Sequence, residues 1–301
     1  MPPIWAATDC FDKRGVGLFK DSKWSKEIIS LQKPNGMWGH FHSLSEPNKK
    51  SPITTEQALR RLSILGYDIE DGCIAKAVAY MSDCLSDKTL IPERPEKLHN
   101  WDIFTDLMLA TWIRRFTKDN DSANKIAGKW ASLITSAFDK GTYNHVVYES
   151  SYFDIFGMKP KGGRLVDFVT FYQVSLISDC LDENIEATLF DYIMNHESGI
   201  YYICNGPLTA LPDSFMSKQA CAYIAAMELI VSYRRNRHKL HFVADWLNLN
   251  KSANGMWDMG AVAKNYIHFP LSDDWRNRRI RESDCSYRIQ KLVDKIMEVS
   301  E

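Results

Sequence analysis

Apolar residues recur at helical spacing in five segments, at about 23–32, 73–85, 122–138, 184–195 and 238–250, and each leaves one polar face. Alternating with them are five segments that are apolar nearly all round, at about 54–66, 101–117, 165–181, 215–233 and 283–299. The alternation predicts helices with a water-facing side followed by helices buried on every side. The first buried segment opens with Thr54-Thr-Glu-Gln57, the pattern of a capping box. Turns from a buried helix to the next amphipathic one are short and polar, as in Gly66-Tyr-Asp-Ile-Glu-Asp-Gly72, Thr117-Lys-Asp-Asn-Asp-Ser122 and Leu181-Asp-Glu-Asn184. Short turns join antiparallel neighbours. The chain therefore reads as all-α, about five helical hairpins of an outer and an inner helix. Inner helices in a ring with outer helices around them make an α/α toroid. No linker or low-complexity stretch interrupts the pattern, so residues 23–301 are expected to form one toroid domain behind an N-terminal arm at 1–22.

A short motif marks the ends of the amphipathic helices. Gln32-Lys-Pro-Asn-Gly36-Met-Trp38 has the form Q-x-x-x-G-x-W, and Asn-Gly-Met-Trp returns at Asn254–Trp257 with Lys251 in the Gln position. Looser copies end in Tyr143, after Gly141, and in Tyr201, after Gly199. The aromatic positions 38, 143, 201 and 257 are separated by 105, 58 and 56 residues, so a copy near residue 90 has lost its Gly and aromatic. A glycine just past a helix suits a left-handed C-cap, and the aromatic two residues on can fold back against the helix it has left.

The repeated Q-x-x-x-G-x-W resembles the QW motif of triterpene cyclases and the looser repeats of protein prenyltransferase β-subunits. The resemblance covers roughly residues 23–299 as repeat architecture and is complete only at Gln32, Gly36 and Trp38. It implies an α/α toroid with a central cavity that holds an isoprenoid-type small molecule. The families' catalytic signatures are not matched. Asp68-Ile-Glu-Asp71 is nearest to the protonating D-x-D-D, but it lies in a short turn where acids cap the next helix. Asp273-Asp274-Trp-Arg-Asn277 begins like the magnesium-binding D-D-x-x-D and lacks its last acid. Asp71-Gly-Cys73 has the spacing of the zinc-binding D-x-C but sits on the turn side, and Asp284-Cys285 is adjacent rather than spaced. Magnesium and zinc thus each lack a complete motif, and no metal ligands are assigned.

Composition narrows the partners. The 301 residues carry a formal charge of -1, with 45% apolar and 25% charged residues, values of a globular chain not adapted as a whole to nucleic acid. No apolar run reaches the length of a membrane span, and the opening Met1-Pro-Pro-Ile-Trp5 lacks the regions of a signal peptide. The seven cysteines form no Cys-x-x-Cys pair, which reads as reduced thiols in a cytoplasmic protein. Nothing in the pattern specifies an oligomeric state.

In a toroid the loops after the motifs and the first turns of the inner helices share one rim, the mouth of the cavity. Helix N-termini there favour anions. Two inner helices begin alike, with Asp102-Ile-Phe-Thr105 and Asp167-Phe-Val-Thr170; Asp106 lies one turn beyond Asp102, Asp284 opens the last inner helix, and Glu56 the first. One reading is a ring of carboxylates that acts as acid and base or grips sugar hydroxyls; the other is helix capping. Asp167, Asp102 and Asp284 are the catalytic candidates, and Asp167, among apolar neighbours, is expected to be buried with a raised pKa. Trp38, His40 and His42 follow the clearest motif; the two histidines are candidates to titrate near neutrality, while Trp38 suits a structural role. Trp101, Phe171 and Tyr172 can line the cavity or fill the core. Arg276, Arg278, Arg279 and Arg281 precede the last inner helix, where they can clamp a diphosphate, pair with the acids or face water. Arg234-Arg-Asn-Arg-His-Lys239 is expected to be solvated on the opposite, turn side. Three functions fit: an isoprenoid-handling protein, a carbohydrate-active α/α-barrel enzyme, or a non-catalytic toroid that binds a peptide or protein.

Overall fold

All ten predicted segments are found as helix, one of them in two pieces, and one further helix lies in a stretch that the pattern left as loop. The computed structural model describes residues 19–45 and 51–298, so most of the expected arm at 1–22 lies outside it. The described residues form twelve α-helices: α1 (Lys23–Ser30), α2 (Thr55–Ile64), α3 (Gly72–Leu85), α4 (Trp101–Phe116), α5 (Asp121–Phe138), α6 (His145–Phe156), α7 (Gly163–Val166), α8 (Phe171–Leu176), α9 (Glu183–Met194), α10 (Lys218–Ile230), α11 (His241–Leu249) and α12 (Arg278–Met297). A 3-10 segment, Arg234–Leu240, leads into α11. Thr170 with Tyr201 and Ile200 with Cys204 make isolated bridges, and no strand runs among the described residues. None of these helices is long and apolar enough to cross a membrane.

Local chemistry accounts for the boundaries. Thr54 accepts the Gln57 backbone N–H while Gln57 accepts that of Thr54, the reciprocal cap expected of α2. The expected inner helix at 165–181 is broken into α7 and α8, because Thr170 is extended and caps α8. The 139–164 loop contains α6, started by the Asn144 side chain on the Val147 N–H and stopped by Gly157 in the left-handed region. The last inner helix begins at Arg278 rather than 283, with Asn277 as its cap.

The two tryptophan motifs adopt one geometry. The Trp38 indole N–H donates to the Ile28 carbonyl of α1 at 2.6 Å, and that of Trp257 to the Leu247 carbonyl of α11 at 2.6 Å. The backbone N–H of Trp38 donates to Thr55 Oγ1 on α2 and that of Trp257 to Ser286 Oγ on α12. Each tryptophan, fully buried, thus ties an outer helix to its following inner helix. Gln32 bonds the Gly36 and Cys73 carbonyls, extending the first tie toward α3. Gly36 has φ +94°, and a Cβ there would come within 2.5 Å of the Lys76 carbonyl oxygen, so only glycine fits.

Helix α1 packs on α2, α3 on α4 and α11 on α12; among the inner helices α4 meets α8, α8 meets α10 and α10 meets α12. The first described helix also meets the last long loop. The Lys23 backbone N–H donates to Asp273 Oδ1 at 2.9 Å, the Trp24 indole donates to the Ser272 carbonyl at 2.9 Å, and the Phe19 ring sits edge-on to Tyr287 on α12. Buried apolar side chains form one cluster running from Phe19 to Ile296.

Candidate anion-binding site

At the N-terminal ends of the inner helices the structure places one carboxylate centrally. Glu56 is fully buried in the first turn of α2. Its Oε1 accepts the Trp112 indole N–H of α4 at 2.7 Å and the Tyr172 hydroxyl of α8 at 2.8 Å; its Oε2 accepts the Ser43 backbone N–H at 2.7 Å. One side chain therefore joins three inner helices and a rim loop. His42 lies beside it, 2% exposed, ringed by Phe104, Tyr172 and Tyr202. Its Nδ1 accepts the Leu44 N–H, so the proton sits on Nε2, which donates to the Tyr202 hydroxyl at 3.1 Å. Burial, with Arg164 nearby, lowers the His42 pKa against the opposing pull of Glu56. Trp101, half-buried, packs on Phe104. His40 lies further out, its Nδ1 3.8 Å from Glu93.

The expected ring of carboxylates does not form. Asp102 and Asp106 are exposed on α4; partial desolvation, with Asp87 and Asp102 nearby and Lys129 opposing, still raises the Asp106 pKa to about 6. Asp167 is not buried: its side chain is 48% exposed, it ends α7 rather than opening an inner helix, and it lies 3.4 Å from His196. Asp284 is fully buried, but it accepts the Leu271 and Ser272 backbone N–H groups and the Ser272 hydroxyl, anchoring the loop that α1 touches. Nor do the four arginines form a clamp. Arg281 makes a two-pronged pair with Asp258 at 2.6 and 2.8 Å, Arg278 pairs with Glu282, and Arg276 and Arg279 point to solvent. Among the described residues no group of three or more His, Cys, Asp or Glu side chains is placed to hold a metal ion.

The opposite ends of the inner helices tell a different story. One turn after Glu56, Arg60 lays its guanidinium 4.5 Å from the centre of the Phe171 ring, and Arg115 approaches the same ring at 5.3 Å. Among the described residues Arg115 donates one hydrogen bond, to the Ser175 hydroxyl. Arg115 is exposed to solvent, with partial desolvation and the charge of Arg60 near it lowering its pKa. A cavity of about 190 Å³ opens here, lined by Ser63 and Ile64 of α2, Arg115 of α4, Glu228 and the adjoining Val231 of α10, and Arg288, Lys291 and Lys295 of α12. Four cations line it against a single acid. That acid is committed: Glu228 receives Arg288 Nε at 2.6 Å and Nη2 at 2.5 Å. Arg288 is 5% exposed, and its Nη1 is buried without a hydrogen-bond partner. Arg115, Lys291 and Lys295 form no ion pair with any described residue. Burial and the neighbouring Lys291 lower the Lys295 pKa.

Deeper in the same wall, His268 accepts from Arg288 at Nδ1 and is held neutral, its pKa far below the ordinary range through burial and the charges of Arg288, Arg60 and Arg61. Of the four cavity cations Arg288 is buried, while Arg115, Lys291 and Lys295 are exposed at its mouth, where a bound anion would offset the charge that they share.

Beside the cavity lies a groove of about 550 Å³, and Lys295, Glu228 and Val231 line both. The 3-10 segment forms part of that groove. Its arginines are not all solvated as expected: Arg237 is 8% exposed and pairs with Glu298 at 2.5 Å. Compared with protein-family models, with curated proteins and with solved structures, the chain finds no match in any of the three.

Proposed function

We propose that this chain is a binding protein of the α/α-toroid type that holds a small anionic ligand in the basic cavity at the C-terminal ends of its inner helices. The observation that carries the reading is the set Arg115 of α4 with Lys291 and Lys295 of α12, three exposed cations that line one cavity and form no ion pair with a described residue, beside buried Arg288, whose Nη1 has no hydrogen-bond partner among the described residues. The serial contacts of α4, α8, α10 and α12, with α1 seated on the Ser272–Asp273 loop, support the ring arrangement. The scattered acids at the other rim favour binding over acid–base catalysis.

Thermal unfolding at fixed ionic strength tests this. Orthophosphate or sulfate at a hundred times its dissociation constant adds about 2.7 kcal/mol to stability, and Arg115→Gln and Lys291→Gln should each abolish the shift. Chloride giving the same shift as phosphate would refute the site.

The isoprenoid reading keeps one observation of its own. Arg278 and Arg281 line a depression of about 810 Å³ with Phe215, Met216 and Leu249, where an apolar tail and a diphosphate have walls to suit them. Asp258 occupies Arg281 there, so a diphosphate must displace it. Prenyl diphosphates of increasing length test this reading: stabilisation that grows with length and is lost in Arg278→Ala supports it, and equal response to orthophosphate rejects it.

A further inference from the structure

The cavity and the groove beside it differ in charge chemistry, and the difference specifies what each can hold. In the cavity the cations exceed the acids. In the groove nearly every charge is already matched. Asp179 receives Arg114 at 2.6 Å and Lys118 at 2.9 Å. Glu186 lies 3.5 Å from Arg235 and accepts the Asn236 side-chain amide at 3.1 Å. Arg237 is held by Glu298. A second phosphate in this groove meets four carboxylates against five cations, most of them already paired, and gains little.

The groove also lacks the walls of an apolar ligand. Leu181 and Val231 are the apolar side chains lining it, and no aromatic ring does. A prenyl tail finds nothing to bury against, and a nucleobase finds no ring to stack on. What remains is the second lone pair of each paired carboxylate oxygen of Asp179 and Glu186, the acceptor lone pairs of the Ser178 and Ser232 hydroxyls, which donate to the Ser175 and Leu229 carbonyls, and the outer N–H groups of the paired guanidiniums. At about 550 Å³ the groove has the size of a small-molecule site; lined by donors and acceptors in place of apolar side chains, it suits a polar body, and one that both donates and accepts at every carbon is a polyol.

Building on the anion site proposed above, we infer that the ligand is a phosphorylated polyol of the sugar phosphate class, with its phosphoryl group in the cavity among Arg115, Arg288, Lys291 and Lys295 and its hydroxyl-bearing body in the adjoining groove. Lys295, which lines both, sits where the phosphate ester joins the carbon skeleton. The cavity, at about 190 Å³, takes one tetrahedral phosphoryl group with a few waters of about 30 Å³ each.

Calorimetric titration of the full chain with orthophosphate, a hexose 6-phosphate, the free hexose and farnesyl diphosphate separates the two claims. The expected order is hexose 6-phosphate at least tenfold tighter than orthophosphate, a gap of about 1.4 kcal/mol, with the free hexose and farnesyl diphosphate weaker than both. Asp179→Asn should narrow that gap while leaving orthophosphate affinity unchanged. Ser232→Ala, an exposed change that does not disturb an ion pair, should do the same to a lesser degree. Arg115→Gln should weaken both phosphate ligands alike. Orthophosphate binding as tightly as the hexose phosphate overturns the polyol inference and leaves the anion site standing. No binding by either phosphate overturns both, and farnesyl diphosphate binding tightest overturns the polyol inference in favour of an isoprenoid.

Discussion

Replacing Glu56 by Gln removes one charge and one acceptor oxygen from the centre of the molecule. The carboxylate faces two donors that cannot turn away, the Trp112 indole N–H on Oε1 and the Ser43 backbone N–H on Oε2, and one that can, the Tyr172 hydroxyl. An amide has one oxygen. Whichever way the introduced amide is oriented, its NH2 group meets a fixed N–H donor head-on. Leaving a buried donor unsatisfied costs about 1–3 kcal/mol, and bonds to a charged acceptor exceed neutral ones by about 1 kcal/mol. Together these give about 3 kcal/mol. The geometry makes a sharper statement through a second variant. Trp112→Phe removes the donor at Oε1, so the introduced amide can then point its NH2 into the vacated place and keep its oxygen on Ser43. In that background Glu56→Gln should cost only about 1 kcal/mol, a coupling of about 2 kcal/mol. Urea unfolding of the four proteins, read from midpoints at a common slope, measures it. Additivity within about 0.5 kcal/mol would falsify the claim that these two side chains meet.

Other consequences are read in the same way. Trp257→Phe leaves the Leu247 carbonyl without its indole donor, and Trp38→Phe does so for Ile28; each should lose about 1 kcal/mol from the hydrogen bond beyond any packing change, and equal unfolding midpoints for wild type and variants would contradict this. Gly255→Ala meets no atom within 4 Å and should cost about 1 kcal/mol for its positive φ alone, whereas Gly36→Ala, driven against the Lys76 carbonyl, should cost clearly more in the same measurement. Asp106 keeps its proton to about pH 6 in the folded state, against an ordinary value of 3.8. Its contribution to stability is therefore present below about pH 4 and lost as pH rises through 6. Asp106→Asn should match the wild type at pH 4 and exceed it at pH 7, and a constant difference across that range would reject the assignment.

The hairpins and the tryptophan turns were legible because period and punctuation agree there: Gly36 and Gly255 end amphipathic helices, and an indole two residues on has only one place to fold. Helix α6 was not legible, since its apolar residues are spread around the axis and only Tyr148 and Tyr152, one turn apart, are buried. The Asn144 cap was its one clear signal. The break at 167–170 was likewise marked only by Thr170, a cap inside an apolar run. Acids and free N–H groups gather at helix N-termini, which is why the sequence points there for a ligand; His42, Glu56 and Tyr172 do lie together, but they fill that space with one another. The opposite logic of the helix dipole collects cations at C-termini. Arg115 and Lys295, each in the last turn of its helix, obey it, but they are far apart in the sequence. A lone arginine late in an apolar helix reads as its solvated end until the neighbouring ends are brought together.

The paired tryptophan turns also bear on how the molecule opens. Chains of stacked repeats ordinarily fray from their termini, where each unit has one neighbour. Here the first and last hairpins keep the indole ties and touch each other through Lys23, Trp24, Ser272 and Asp273. The intermediate copies have tyrosine instead: Tyr143 turns its hydroxyl to His145 and Tyr201 stands half exposed. The turns at 141–143 and 199–201 therefore lack the indole tie, and native-state hydrogen exchange should run faster in them than in the turns at 36–38 and 255–257. The two ends of the chain, each closed by an indole and touching one another, act as a clasp.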